Sequence, residues 1–350
     1  MSRLPLEQLP IPLLEWFAEH ARTLPWRSEP TAYHVWVSEI MLQQTRVAAV
    51  LDYYRRFMDA VPTLAELAAL DEERLMKLWQ GLGYYSRARN LQKAARQVME
   101  RFGGEFPSNY ADILSLPGVG EYTAGAIASI AFGQPVPAVD GNVLRVVSRI
   151  NADESDITLA ATKKQVRQQL QEIIPVRRPG DFNQAMMELG ATVCLPNGAP
   201  LCDKCPARGF CRARLTERTH QLPVKAEKKP RRVEQREVYL LFYERKVALR
   251  KRPERGLLAG LWEFPNELPQ MQDAPECWGI EPCSVRCVGT GKHIFSHIEW
   301  HMVGRAVECG SDALPEGWVW AGREELERQY SVPNAFRAFE PAVKERLGYF

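Results

Sequence analysis

The segment CLPNGAPLCDKCPARGFC, Cys194 to Cys211, carries four cysteines separated by seven, two and five residues. Thiolates this close together suit metal ligation; free thiols and disulfides are the competing uses. The N-terminus MSRLPLEQLPIPLLEW is too broken by prolines and acids to read as a secretory signal. The chain is therefore expected in the cytosol, where thiols stay reduced and its eight cysteines point to metal ligation or free thiols. A zinc ribbon pairs two close Cys-x2-Cys units, and only Cys202 and Cys205 are spaced that way. The remaining Cys277, Cys283, Cys287 and Cys309, at intervals of five, three and twenty-one, match no common zinc pattern and read as free thiols.

A second place with chemistry in it is LPGVGEYTAGAIASIAFG, Leu116 to Gly133. Gly118 and Gly120 flank one valine, and a helix of small residues follows. Glycines let the backbone turn sharply and approach a ligand closely, and the first amides of the next helix then face an anion. Preceded by Leu-Pro and followed by Thr-Ala-Gly-Ala, the turn resembles the helix-hairpin-helix element that grips a DNA backbone phosphate. By contrast GTGK at Gly289 to Lys292 is no P-loop, since His293 stands where Ser or Thr is needed. The run GLGYYSRARNLQKAAR holds Arg87, Arg89, Lys93 and Arg96 without an acid and reads as a solvated basic helix face.

Beyond the hairpin, VPAVDGNVLRVVSRI places Asp140 about twenty residues after the glycines, where the helix-hairpin-helix DNA glycosylase superfamily has its catalytic aspartate. With Cys194, Cys202, Cys205 and Cys211 the resemblance narrows to the endonuclease III and MutY branch, which binds a [4Fe-4S] cluster through four thiolates. LPWR (Leu24 to Arg27), SEIMLQQT (Ser38 to Thr45) and FNQAMMELGA (Phe182 to Ala191) select the MutY family of adenine DNA glycosylases, as do LLAGLWEFP and HIFSH further on. The first cysteine interval is one residue longer than the family's usual six; the extra residue falls in LPNGAPL, a loop able to take an insertion. The resemblance implies an enzyme acting on double-stranded DNA in the nucleoid, at adenine opposite 8-oxoguanine or guanine; one site per chain and no obvious coiled coil favour a monomer.

It also implies roles. Glu39 is the acid that protonates the leaving adenine. Asp140, oriented by Asn142, stays ionised and stabilises the sugar cation; this division of labour between two carboxylates is general in glycoside hydrolysis. Tyr122 stands where strand-cleaving relatives carry a Schiff-base lysine, so the abasic site is expected to remain uncut. Arg27 and Gln184 line the adenine pocket. Gln44 and Tyr84 are the wedge that fills the gap when the base is flipped out, with Thr45 and Leu82 facing 8-oxoguanine. Phe295, Ser296 and His297 read the lesion. The rivals are an endonuclease III-like pyrimidine glycosylase, which Tyr122 and the second domain oppose, and a non-catalytic, redox-responsive iron–sulfur DNA-binding protein, which the presence of both carboxylates opposes.

These groups need a frame. At 350 residues, with 45% hydrophobic and 25% charged residues and a net charge of +2, the chain suits two soluble domains, and no apolar run approaches a membrane span. Residues 1–221 read as mainly α, with the helix-hairpin-helix at about 114–130 and the cluster segment at 194–211. Thr45 is expected to cap the helix that follows it, and ELAALDEERLMKLW to form a helix. LPVKAEKKPRRVEQRE, charged and aperiodic, reads as a linker over 222–236. From 237 to 350 the period becomes strand-like, with VYLLFY and KVALRKR as a hairpin. This α/β region resembles a Nudix fold, but EELERQY is too short and lacks the glycine pattern of the glutamate-rich metal box, so the resemblance implies no pyrophosphatase activity.

Overall fold

Side-chain caps set several helix starts. Thr31 accepts from the His34 amide, Asn109 from that of Ala111, and Asp140 from that of Val143. The computed structural model describes residues 5–227, 230–268 and 274–349. They fall in two units, Met1–Ala69 with Asn90–Glu227, and Leu70–Arg89 with Lys228–Phe350.

The first unit is helical. Its helices are α1 (Pro10–His20), α2 (Pro25–Ser28), α3 (Ala32–Leu42), α4 (Val47–Ala60) and α5 (Leu64–Ala69). The chain passes through α6 (Glu72–Trp79) of the second unit and returns along α7 (Ser86–Arg101). Then come α8 (Tyr110–Leu114), α9 (Glu121–Ile130), α10 (Gly141–Asn151), α11 (Ala160–Ile173), α12 (Pro179–Thr192) and α13 (Arg212–Leu215). Every residue of α10 from Val143 to Ile150 is buried. Its apolar side chains share one core with Leu13 and Phe17 of α1, Val166 and Leu170 of α11, and Phe182, Met186 and Leu189 of α12.

Small residues let these helices approach. A Cβ at Gly190 would lie 2.5 Å from the Cβ of Asn142, so this glycine sets the crossing of α12 over the start of α10. The hairpin between α8 and α9 turns at Gly118, φ +76°.

The second unit is built on a seven-stranded sheet in the order β3-β2-β1-β6-β5, with β4 on β1 and β7 on β2. The strands are β1 (Arg232–Tyr243), β2 (Lys246–Lys251), β3 (Trp262–Glu263), β4 (Asn266–Glu267), β5 (Pro282–Ile294), β6 (Ile298–Cys309) and β7 (Trp318–Ala321). β1 runs parallel to β6 and the other pairs are antiparallel. Along β1, Val238, Leu240 and Phe242 enter one core while Tyr239 and Leu241 enter another, as a period of two requires of a sheet covered on both faces. The first core is closed by Phe336, Phe339 and Val343, from a 3-10 turn (Asn334–Phe339) and the C-terminal helix Glu340–Leu347.

Several sequence expectations change here. Thr45 caps nothing: Gln44 turns the chain at φ +59°, the Thr45 hydroxyl faces the Gln43 carbonyl, and α4 starts after Arg46 without a side-chain cap. ELAALDEERLMKLW is two helices, because Asp71 accepts from the amides of Glu73 and Arg74 and starts α6 afresh. The expected linker shrinks from both ends. Leu222 is buried in the first unit and the Val224 carbonyl accepts from the Ile157 amide, while Arg232–Arg236 already pair with β6. Their charges are met along the sheet, with Arg236 2.9 Å from Glu234 and Trp300 Nε1 3.0 Å from the same carboxylate. The basic run is no solvated face throughout: Arg87 is 9% exposed, and Arg89 pairs with Glu72 at 2.6 Å.

Candidate active site

Helix α3 is buried from Tyr33 without a break to Met41 apart from the more open His34, and Glu39 on it is 6% exposed. Loss of water pushes its carboxyl up to about 7. The charge of Asp140 pushes the same way, and Arg27 and a hydrogen bond from Tyr122 pull against them. That bond runs from the Tyr122 hydroxyl to Glu39 Oε2, and the same hydroxyl lies 3.2 Å from Met187 Sδ.

Asp140 is the N-cap of α10. One oxygen accepts from the Val143 amide at 2.7 Å and the other from Asn142 Nδ2 at 2.7 Å. Burial pushes its carboxyl above the usual aspartate value, while these hydrogen bonds and the Arg145 charge favour the anion. The loop that delivers Asp140 is clamped by the buried Asn183. Its Oδ1 accepts from the Ala138 amide at 3.0 Å, and its Nδ2 lies 2.8 Å from both the Val136 carbonyl and Ser129 Oγ.

Arg27 and Gln184 also meet, with Arg27 Nε donating to Gln184 Oε1 at 3.0 Å. Arg27 Nη2 donates to Glu188 Oε2 at 2.9 Å, and Nη1 to the Arg22 carbonyl at 3.0 Å. The structure thus gathers Arg27, Glu39, Tyr122, Asp140, Asn142 and Gln184 through direct bonds or mutual charge effects. It adds residues that sequence reasoning missed: Met187, Glu188, Arg22, Arg145 and Asn183. Gln184, Met187 and Glu188 share one face of α12 at helical spacing, a pattern that could have flagged the last two.

The four clustered cysteines border one cavity, with Val146, Ile150, Leu189 and Val193 in its walls. They surround a space instead of meeting at a point. Among the described residues, no group of three or more His, Cys, Asp or Glu side chains is drawn together to hold a metal ion. Four thiols bordering one cavity are a donor set that suits an iron–sulfur cluster. Of the two buried arginines of α10, Arg149 lines the cavity and Arg145 reaches the backbone of Cys194. Arg149 Nη1 lies 3.2 Å from Cys194 Sγ. Arg145 donates to the Cys194 carbonyl, to Gly190 O and to Asn142 Oδ1, each at 2.8 Å.

Of the other predicted residues in the first unit, Gln44 is exposed in its left-handed turn and Thr45 half-exposed beside it. Gly118 abuts Asn90, leaving 2.6 Å between the side-chain Cβ and any Cβ added at the glycine. Gly120 precedes α9 with open space around it.

The second unit holds a groove lined by residues of 81–86, 256–259, 293–297 and 333–335. Tyr84 stands in it at φ +47°, 45% exposed, its hydroxyl 3.0 Å from Ser296 Oγ. Arg87 supports this turn from below, donating to the carbonyls of Leu82 and Gly83 at 3.1 Å. Leu82 lines the groove but is itself buried, and His297 is exposed. Phe295 is half-buried, its ring 4.9 Å from that of Trp300 and 4.5 Å from that of His293. Its ring is engaged with the sheet.

Comparison with known proteins gives the setting. Residues 37–176 match the HhH-GPD superfamily base excision DNA repair protein, and 237–339 match the NUDIX domain. The adenine DNA glycosylase of Homo sapiens is 39% identical over 94% of this chain and 73% of its own length. Among solved structures, a thermostable thymine-DNA glycosylase superposes with a TM-score of 0.55 at 27% identity, covering 61% of this chain and 97% of its own. Endonuclease III in a non-covalent DNA complex gives 0.52 at 26%, covering 62% and 99%.

Proposed function

The chain belongs to the adenine DNA glycosylases of base excision repair, and from that premise we propose how its own residues remove adenine lying opposite 8-oxoguanine or guanine in duplex DNA. The observation that carries the reading is Glu39, a carboxyl only 6% exposed that accepts from the Tyr122 hydroxyl and is pushed up to about 7 by burial. Such a group is an acid at the pH of the cell.

The adenine leaves the stack for the pocket of Arg27 and Gln184, because an N-glycosidic bond inside a duplex is out of reach. Glu39 gives its proton to N7 of the adenine. The bond between the sugar carbon and N9 breaks, its electron pair leaves with the base, and positive charge develops on the sugar. Asp140 faces that charge as an anion, held by the Val143 amide and by Asn142, and it either screens the cation or bonds to it transiently. Water then adds to the sugar carbon, and a carboxylate of the pair takes up its proton. Tyr122 has no amine to form a Schiff base, so the product is an intact strand with an abasic site.

Gln44 and Thr45 in the first unit, and Tyr84 with Leu82 in the second, act on the duplex around the extruded base. Ser296 and His297 offer a hydroxyl and an imidazole to altered base edges, with Phe295 anchoring their loop. Gly118 makes the turn against Asn90, and Gly120 leaves the backbone open to a phosphate. Cys194, Cys202, Cys205 and Cys211 hold a [4Fe-4S] cluster, which when bound supplies a rigid tie for the end of this unit. Arg208 and Arg214 near it can meet phosphates, giving binding that weakens as salt rises.

The test is a single-turnover assay on end-labelled duplexes with adenine opposite 8-oxoguanine, guanine or thymine. Strand breaks that need alkali, fastest opposite 8-oxoguanine and lost in Asp140→Asn, are expected. Breaks without alkali would overturn the assignment of Tyr122, and equal rates opposite all three bases that of the reading loop.

A further inference from the structure

Glu188 is a carboxylate with 1% exposure in a protein whose proposed reaction never touches it. A charge taken that far from water needs strong partners. Both its oxygens have them. Oε1 accepts from Arg22 Nε at 2.6 Å and from the Arg22 amide at 3.2 Å. Oε2 accepts from Arg22 Nη2 and Arg27 Nη2, each at 2.9 Å. These bonds span about 160 residues of chain and join α12 to α2 and to the turn before it. Each nitrogen of the Arg27 guanidinium is in turn engaged: Gln184 on Nε, the Arg22 carbonyl on Nη1, Glu188 on Nη2, with the Phe17 ring 5.3 Å away.

We infer that Glu188 is a positioning residue of this reaction: clamped between Arg22 and Arg27, its carboxylate fixes the plane of Arg27 and offsets its charge where the acid Glu39 must work. The inference rests on the reading of Glu39 as the proton donor. Its logic is electrostatic. Arg27 favours the ionised form of Glu39, whereas Asp140 and burial favour the protonated form, and Tyr122 donates to the ionised form. An uncompensated Arg27 would strip the proton that the reaction needs. Burial pushes Glu188 up, but the hydrogen bond from Arg22 and the charges of Arg27 and Arg22 outweigh it and hold the carboxyl below its ordinary value. It is therefore an anion at neutral pH, and the trio Arg22, Arg27 and Glu188 carries one net positive charge.

Charge-changing variants separate this role from simple support of the fold. Glu188→Gln raises the trio to two positive charges, and Arg22→Gln lowers it to none. The double variant restores one. The measurement is the pH dependence of single-turnover adenine release by the full-length protein, together with thermal unfolding of each variant. Glu188→Gln should move the alkaline limb of the profile to lower pH by about one unit. Arg22→Gln should move it to higher pH, by less, because the Arg22 side chain is 38% exposed and more screened. The double variant should return towards the parent limb even where its melting temperature falls further. A common drop in rate at every pH, with limbs unmoved in both single variants, would overturn the inference and leave Glu188 a structural anion. Should Glu188→Gln not fold, an unmoved limb in Arg22→Gln alone does the same. Glu39→Gln separates the premise: if the alkaline limb survives in that variant, the assignment of Glu39 fails and not merely that of Glu188.

Discussion

Glu39 and Tyr84 mark two regions built on opposite plans. Around Glu39 the protein excludes water and supplies short polar contacts, from Tyr122 to the carboxyl and from Asn142 and Val143 to its neighbour Asp140. Around Tyr84 it leaves an open groove, with a left-handed residue at the rim and Ser296 and His297 exposed. Moving a proton at neutral pH requires a carboxyl whose charge is made costly, and that means burial. Reading a base requires donors and acceptors that the base can reach. A third carboxylate sharpens the lesson. Glu188 is buried more deeply than Glu39, yet Arg22 and Arg27 occupy its oxygens at 2.6 to 3.2 Å and hold its carboxyl below the ordinary value. Burial alone does not make an acid; the partners decide.

The comparison breaks most sharply at the carboxylates. Glu39→Gln and Asp140→Asn should each lower the single-turnover rate by at least about 100-fold with DNA affinity kept, as removal of a general acid does. A loss of tenfold or less would mean that proton donation lies elsewhere. In the groove proposed to read the base the same assay should respond differently. Tyr84→Ala and Ser296→Ala should erode the preference for 8-oxoguanine over guanine by roughly 10-fold, one lost base-edge contact, while slow release opposite guanine persists. Equal losses on both substrates would make the groove part of the catalytic apparatus.

Stability offers subtler tests. Gly190→Ala places a Cβ 2.5 Å from that of Asn142. Overpacking there should cost about 1–3 kcal/mol in denaturant unfolding and displace Asn142 from Asp140, slowing release as well. Normal release in this variant would show that Asn142 need not be held so closely.

Glu39, the proposed acid, also leaves a mark on folding. Its pKa is about 7 in the folded chain against an ordinary 4.5. The folded state therefore binds the proton more tightly, and stability from this group is complete below about pH 4.5 and declines as pH rises through about 7. Glu39→Gln removes that decline. Its stability relative to the parent should thus rise between pH 5 and pH 8, by about 3 kcal/mol at most. A flat difference would mean that Glu39 titrates near its ordinary value.

Much of this was legible in the chain. The hairpin turn is written in Gly118 and Gly120, and the α9 helix after it in small residues. The strands β1, β2 and β6 show in their alternation. Less visible was β5, whose CSVRCVGTGKHI mixes glycines and charges because most of its residues are exposed. The passage of Leu70–Arg89 into the second unit was not visible at all. It rests on bonds such as Gln80 Nε2 to the Val332 carbonyl at 2.8 Å and Ser331 to the Met76 carbonyl at 3.1 Å, across some 250 residues.

What the sequence by itself determined, then, are the residue types and the local spacings: four thiols within one short segment, a glycine turn before a helix, and an aspartate at a helix start. These depend on neighbours along the chain, so pattern suffices to find them. Only the tertiary structure decided that Glu39 lies in the dark beside Tyr122, that Glu188 ties Arg22 to Arg27, and that Arg145 joins Asn142 to the Cys194 carbonyl. Each is a matter of desolvation and of hydrogen bonds between distant segments. Those free energies exist only once the helices have packed.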